Sequence, residues 1–362
     1  MATTTKRTFE DALKQIGLEL DDTLQGADLR KINLKDTDVS AGIFQEVSLV
    51  GINLSGADLR GVQFCEQYLC SVDFRDADLT GANFSGANLE GSIFEGANLT
   101  NASFSGARLD RTDLSKAIVT GAEFPNCVGT CVVMAGLDFN GIDFEQAEFT
   151  SCDFTGTCLT NANLKDSDFR GTDFSKSELE GANLTKANIS NCNFKKANLK
   201  DAVLTGCEAY GANFKKATLS YAQMDDAIFN FADFTKAVMR HAKLTLSSFD
   251  SAIIDTVPMM DAILGRVNFE GATLINLNLE GADLKNAHMP YVKMNNVSLV
   301  KADLTGASMQ GALLNRVMMN NAVLDDTNLK FCKMTQVALD TQNLKSENII
   351  GMQLASGVSN WY

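Results

Sequence analysis

Few residues in this 362-residue chain are of types that do chemistry. It has 2 histidines, His241 and His288, and 9 cysteines. His241 stands twenty residues after Tyr221 and twenty before Asp261. A histidine beside a carboxylate has its charged form favoured, so the three could relay a proton if twenty residues return the chain to the same side. No serine or cysteine nucleophile accompanies them, and we read them as a polar surface ladder. Cys127 and Cys131 come near a zinc-type spacing, but neither a second such pair nor a histidine pair joins them; no metal and no cofactor is expected. The glycine-containing "GADLRG" at 56–61 has no helix after it to hold a phosphate. No catalytic residue is assigned, and the chain reads as a non-enzyme.

What must position these residues is a repeat. The stretch "DADLTGANFSGANLEGSIFEGANL", residues 76–99, returns a small residue, then usually Asp or Asn, then Leu or Phe, every five positions. Five fits neither the turn of a helix nor the alternation of a strand. Taking Leu or Phe as the centre, centres fall at numbers ending in 4 or 9 from Leu24 to Leu354, about 67 pentapeptides with no insertion. A chain that turns one corner per pentapeptide would hold the centre and the residue two before it inside. Four such sides close a coil of about twenty residues, and coils stacked at about 4.8 Å give about 16–17 coils over ~80 Å. Phe44, Phe64, Phe84, Phe104, Phe124 and Phe144 would then form one internal ladder, and Phe154, Phe174, Phe194, Phe214 and Phe234 another. Weak centres at Gly129 and Ala209 predict a thinner interior there.

"GADLR" at 26–30, "GANFS" at 81–85, "GANLE" at 86–90 and "GADLK" at 281–285 resemble the A(D/N)LXX signature of pentapeptide-repeat proteins. The resemblance runs from residue 24 to about 354 and implies a right-handed quadrilateral β-helix, in agreement with the four-sided reading. The expected fold class is therefore an all-β solenoid with a short N-terminal capping helix. Residues 1–22 form that cap, with Phe9, Leu13, Ile16 and Leu20 on one face and Thr8 and Asp11 like a capping box. Residues 23–354 form a single uninterrupted β-helix, and 355–362 a tail carrying Trp361 and Tyr362. Because the inward small position becomes Gln342 and Glu347, regular coils should stop near residue 340. The Asp or Asn before each centre should bond local backbone at a corner. Cys127, Cys152, Cys192, Cys207 and Cys332 fall on inward small positions, as buried thiols; Cys65, Cys70, Cys131 and Cys158 face outward.

The net charge of −14 disfavours direct binding to nucleic acid or anionic lipid. No apolar run approaches the ~20 residues of a membrane span. The start "MATTTKRTFEDALKQIG" lacks a signal peptide's apolar core, so a cytoplasmic protein is expected, with a secreted effector or virion component as other settings.

Three surface patterns remain. Lys176, Lys196, Lys216 and Lys236 share a column with Lys195 and Lys215 beside it. Like charges about 5 Å apart repel by roughly 0.8 kcal/mol in water, which makes the stripe a candidate docking strip for an acidic partner; a solvated lysine face is the plainer reading. Outward apolar residues (Val128, Val133, Ile228, Val238, Ile253, Ile263, Leu313, Met318 and Val323) thicken toward the C-terminal half. Tyr210, Phe231, Tyr291 and Phe331 also face outward, on one side. Exposed apolar area of this extent marks an interface. The expected function is a non-enzymatic scaffold binding a protein partner through its outer faces, with a homodimer through the C-terminal region as one form. The alternative comes from the resemblance: some pentapeptide-repeat proteins resemble B-form DNA and protect type II topoisomerases from inhibitors. Asp38, Asp58, Asp78 and Asp138 would then line a DNA-mimic face.

Overall fold

The computed structural model describes residues 49–339 and 346–355, together with Asp11, Leu13, Lys14 and Gly17. Residues 73–77 show why the period is five. The Asp73 N–H donates to Ile52 O of the preceding coil at 3.0 Å, and the Phe74 and Asp76 N–H groups donate to Ile93 O and Glu95 O of the next at 2.8 and 3.2 Å. The Ala77 N–H closes a turn onto Phe74 O at 3.1 Å. That leaves only the Arg75 N–H, which donates to Asp73 Oδ1 at 3.0 Å. All five backbone donors are used, as a packed chain requires. The Asp or Asn before the centre thus supplies the one acceptor that sheet and turn omit. The same bond recurs from Ser55 to Asn53 (3.0 Å) and from Thr80 to Asp78 (3.2 Å).

Asp76, third residue of its turn, has φ of 56°. From residue 49 onward every described residue with positive φ has a number ending in 1 or 6, one per pentapeptide. These are the corners, the φ > 0 position of a type II-like turn. Parallel bridges join residues twenty apart, from Asn53↔Asp73 to Ser308↔Asn328. Four five-residue sides therefore close each coil, and the chain is a quadrilateral β-helix of the all-β class.

The chain divides into two compact units, Met1–Glu178 and Leu179–Tyr362. In the first, Phe64, Phe84, Phe104 and Phe124 stack at 5.2, 4.9 and 4.7 Å, and Phe144 continues at 5.6 Å with a 34° tilt. Phe44 lies outside the described residues. Phe74 and Phe94 stack at 4.7 Å in the column that later holds Phe154 and Phe174, which extends that ladder beyond the residues expected in it. At Gly129, the middle residue of β1 (Val128–Thr130), which pairs with β2 (Glu148–Thr150), a β-carbon would stand 2.6 Å from Val132 Cγ2 and 3.3 Å from the Phe149 ring. Neighbouring side chains therefore fill the space left by the weak centre. Ala209 in the second unit is likewise fully buried.

Hydroxyls on the inward small position find acceptors on centre carbonyls, as buried polar groups must. Ser92 Oγ donates to Leu69 O at 2.5 Å and accepts the Val72 N–H at 3.1 Å, standing in for a turn bond. Thr172 Oγ1 treats Phe149 O and the Cys152 N–H the same way. Asp11, Leu13 and Lys14 have helical backbone and Leu13 is buried; the rest of the expected capping helix lies outside the described residues.

In the second unit Phe194, Phe214 and Phe234 stack at 5.0 and 4.8 Å, within 3° of parallel. One side becomes a continuous parallel sheet: β3 (Ile253–Asp255), β4 (Thr273–Asn278), β5 (Lys293–Ser298), β6 (Leu313–Met319), β7 (Lys333–Thr335) and β9 (Gln353–Leu354), with β8 (Ala338–Leu339) pairing β6. The coils do not end near residue 340. A 3₁₀ turn at Ser346–Asn348 leaves Glu347 exposed, and the register then returns, pairing Gln353 with Lys333 and Leu354 with Met334. The polar residue is accommodated by facing out, not by ending the coil. Gln342, Trp361 and Tyr362 lie outside the described residues.

Candidate interaction surface

The corner is where this fold places its distinctive side chains. An L-residue in the left-handed region costs about 1–2 kcal/mol, which glycine avoids. Along one edge of the second unit the corners are Lys196, Lys216 and Lys236, at φ 65°, 61° and 61°. Along the adjacent edge they include Phe231, Tyr291 and Phe331, at φ 61°, 57° and 60°. The five-residue side separating these edges carries β3 to β7 and β9, with Ile253 and Leu313 pointing outward. Tyr291 and Phe331 border this sheet directly, whereas Lys196, Lys216 and Lys236 flank the same side of the coil on the coils that precede β3.

Two of the aromatic edge residues, Tyr291 and Phe331, use a neighbour's missing side chain. A β-carbon on Gly311 would stand 2.8 Å from two Tyr291 ring carbons, and one on Gly351 would meet Phe331 just as closely. Tyr210 packs on Phe231 with ring centroids 5.0 Å apart. All four rings remain about half exposed, at 49% for Tyr210, 51% for Phe231, 58% for Tyr291 and 55% for Phe331. One ring face is supported and the other is open.

The lysine edge is short of counter-charges. Lys200 pairs with Glu180 at 2.8 Å and Lys301 with Glu280 at 3.3 Å, and Lys215 reaches Asp233 at 2.9 Å. Lys195, Lys196, Lys216 and Lys236 make no ion pair among the described residues. Further along the edge Asn296 Nδ2 donates to Asn276 Oδ1 at 2.9 Å and Arg316 Nε to Gln336 Oε1 at 3.2 Å, so no acid occupies these corners either. Lys176, in the first unit, is also exposed at a left-handed corner, with φ 62°.

A family model described as pentapeptide repeats (8 copies) matches this chain in overlapping or successive stretches from 23–61 through 130–166 and 212–250 to 302–339. The chain belongs to the pentapeptide-repeat family. Comparison with curated proteins gives no match. Among solved structures, QnrB1, a plasmid-mediated fluoroquinolone resistance protein, is similar at 19% identity over 62% of this chain and 91% of its own, with a TM-score of 0.31. HetL, a pentapeptide-repeat protein involved in heterocyst differentiation regulation in the cyanobacterium Nostoc sp. strain PCC 7120, is similar at 22% identity over 89% and 93%, with a TM-score of 0.20. Rfr23 of the cyanobacterium Cyanothece 51142 is similar at 26% identity over 32% and 96%, with a TM-score of 0.16.

In this pentapeptide-repeat chain the acidic column is partly neutralised. Asp58 accepts Arg60 Nε at 2.8 Å and Arg60 Nη2 at 2.7 Å, and Asp78 lies 3.6 Å from the same guanidinium. Asn98 and Ile118 follow before Asp138, whose Oδ1 accepts the Asn140 N–H at 3.1 Å. Asp38 lies outside the described residues. The outward apolar residues are not gathered into one patch: Ile263 and Val323 share one column, Val238 and Met318 another, and Ile228 a third. Tyr221, His241 and Asp261 do stack, with rings 4.7 Å apart at 14° and His241 Nδ1 3.6 Å from Asp261 Oδ2. They stand on an exposed edge.

Two openings in the ladder were missed by the sequence reading. Pro258 has no N–H, so Ala237 O lacks its ladder donor, and the N–H groups of Met259, Asp261 and Asn278 make no backbone bond. A cleft of about 260 Å³ opens there between Arg240, Met260, Asn276 and Glu280. Its signal was a proline in the slot that elsewhere favours Asp or Asn. In the first unit the N–H groups of Val119, Gly121 and Phe124 are similarly unbonded beside a cleft of about 400 Å³ lined by Thr120, Glu123, Asp138 and Asn140.

The cysteines fall as expected, with Cys127, Cys152, Cys192, Cys207 and Cys332 buried and Cys131 exposed. Burial pushes the Cys127 and Cys152 thiols up to about 12, far from reactive thiolates. Among the described residues no group of three or more His, Cys, Asp or Glu could hold a metal ion, and no helix is long and apolar enough to cross a membrane.

Proposed function

We propose that the chain is a non-enzymatic scaffold that binds protein partners through the second unit, on the side of the coil between its aromatic and lysine edges. The carrying observation is that Phe231, Tyr291 and Phe331 occupy left-handed corners and keep one ring face open. Large side chains at backbone positions suited to glycine cost stability, and exposed aromatic anchors are what interfaces use. A cytoplasmic setting belongs to the same proposal.

The test is affinity capture from cytosol with the full chain and with a Phe231→Ser/Tyr291→Ser variant, circular dichroism confirming equal folding. Loss of specific partners in the variant supports the proposal; an identical partner set refutes it. Sedimentation of both proteins addresses self-association through the same face. The DNA-mimic alternative draws on the net charge of −14 and on Asp58, Asp78 and Asp138. Rescue of gyrase supercoiling from a quinolone by the full chain would favour it over the scaffold.

A further inference from the structure

The lysine edge specifies a partner by its spacing. The coils carrying Lys196, Lys216 and Lys236 are those of Phe194, Phe214 and Phe234, whose rings rise 5.0 and 4.8 Å per coil. An extended strand repeats on one side every ~6.7 Å, and an α-helix every ~5.4 Å. Over two intervals a strand drifts from the lysines by about 4 Å and a helix by about 1 Å, within reach of flexible lysine side chains. The side of the coil bordering this edge is about three extended residues across, ~10 Å, which matches the width of one helix.

The charges around the edge agree. Asp233 is engaged by Lys215 at 2.9 Å, and Asp255 accepts Asn276 Nδ2 at 3.1 Å, so the nearest acids on this side are already partnered. Lys293, Arg316 and Lys333 add positive charge further along. The described surface of a second copy offers this edge no matching acidic column. Among the described residues no column carries acids in three successive coils; the longest runs are pairs such as Asp153–Asp173 and Asp283–Asp303.

We infer that the Lys196–Lys216–Lys236 edge docks an acidic α-helix of a partner protein, lying along the coil-stacking direction with one Asp or Glu on each turn. This rests on the reading of the adjoining side of the coil as the interaction surface, and it specifies the partner's chemistry.

Fluorescence anisotropy with two synthetic alanine-rich peptides tests it. One carries a glutamate on every turn of one face, and the other has the same composition with the glutamates wound around all faces. The full chain should bind the patterned peptide about tenfold more tightly, and binding should weaken as salt is raised to ~0.3 M. Lys196→Asn/Lys216→Asn/Lys236→Asn, which suits the left-handed corners, should abolish that preference, and the triple arginine variant should keep it. Equal binding of both peptides, no binding of either, or tighter binding of single-stranded DNA would each overturn the inference. Those results leave the scaffold reading to the capture experiment with Phe231→Ser/Tyr291→Ser, so the two failures are distinguishable.

Discussion

The ring of Tyr291 lies over Gly311 of the next coil, two of its carbons 2.8 Å from where a β-carbon would stand. Gly311 also has φ of 70°. Gly311→Ala should therefore destabilise through both backbone strain and displacement of the ring, by about 1–3 kcal/mol in urea unfolding. The same change at Gly281, where nothing lies within 4 Å, carries the backbone cost alone and should be milder. Equal losses at the two sites would mean that the ring contact contributes nothing.

Phe104 is fully buried and stacks on Phe84 at 4.9 Å and Phe124 at 4.7 Å. Phe104→Ala should cost about 3–5 kcal/mol, because adjacent coils fix their spacing and cannot collapse into the space. A shift of the urea midpoint near zero would contradict the ladder's role in stability.

The ladder was legible because stacked equivalents are twenty residues apart and the interior is narrow, so Phe64, Phe84 and Phe104 had one place to go. The role of Asp73 as a local acceptor was legible too. What the repeat count could not assign was cost. Lys196 and Gly206 sit at the same type of corner, and only the backbone angle says that one is strained by it. Pro258 kept the register, and an intact count concealed a broken hydrogen bond. Glu347 misled, since a polar residue at an inward position could either end the coils or turn outward, and only packing decides.

Burial pushes Cys127 and Cys152 up to about 12 and Cys332 up to about 11, from an ordinary value of 9.0. With folded values above unfolded ones, this stability is fully present below pH 9 and is lost as pH rises toward 11–12. Above pH 9 the unfolded chain binds fewer protons, and each thiol should remove about 1.4 kcal/mol per pH unit. Unfolding free energy measured from pH 8 to 11 should fall steeply in the native chain and less so in a Cys127→Ala/Cys152→Ala variant. Parallel curves would contradict the burial of these thiols.

Pro258→Ser restores an N–H opposite Ala237 O, and should stabilise by about 1 kcal/mol if the coils close. Hydrogen exchange should slow at Met259, Asp261 and Asn278, whose amides now face the cleft. Unchanged exchange at these three would show that the proline is not what holds the coils apart.

Neighbours on a corner edge are twenty positions apart along the polypeptide, although they touch in space. A docking molecule therefore reads this protein in an order unrelated to the order of synthesis. Short synthetic fragments of the chain reproduce none of that script. Exchanging one corner letter leaves the lining untouched, so recognition can be rewritten coil by coil while the interior stays constant.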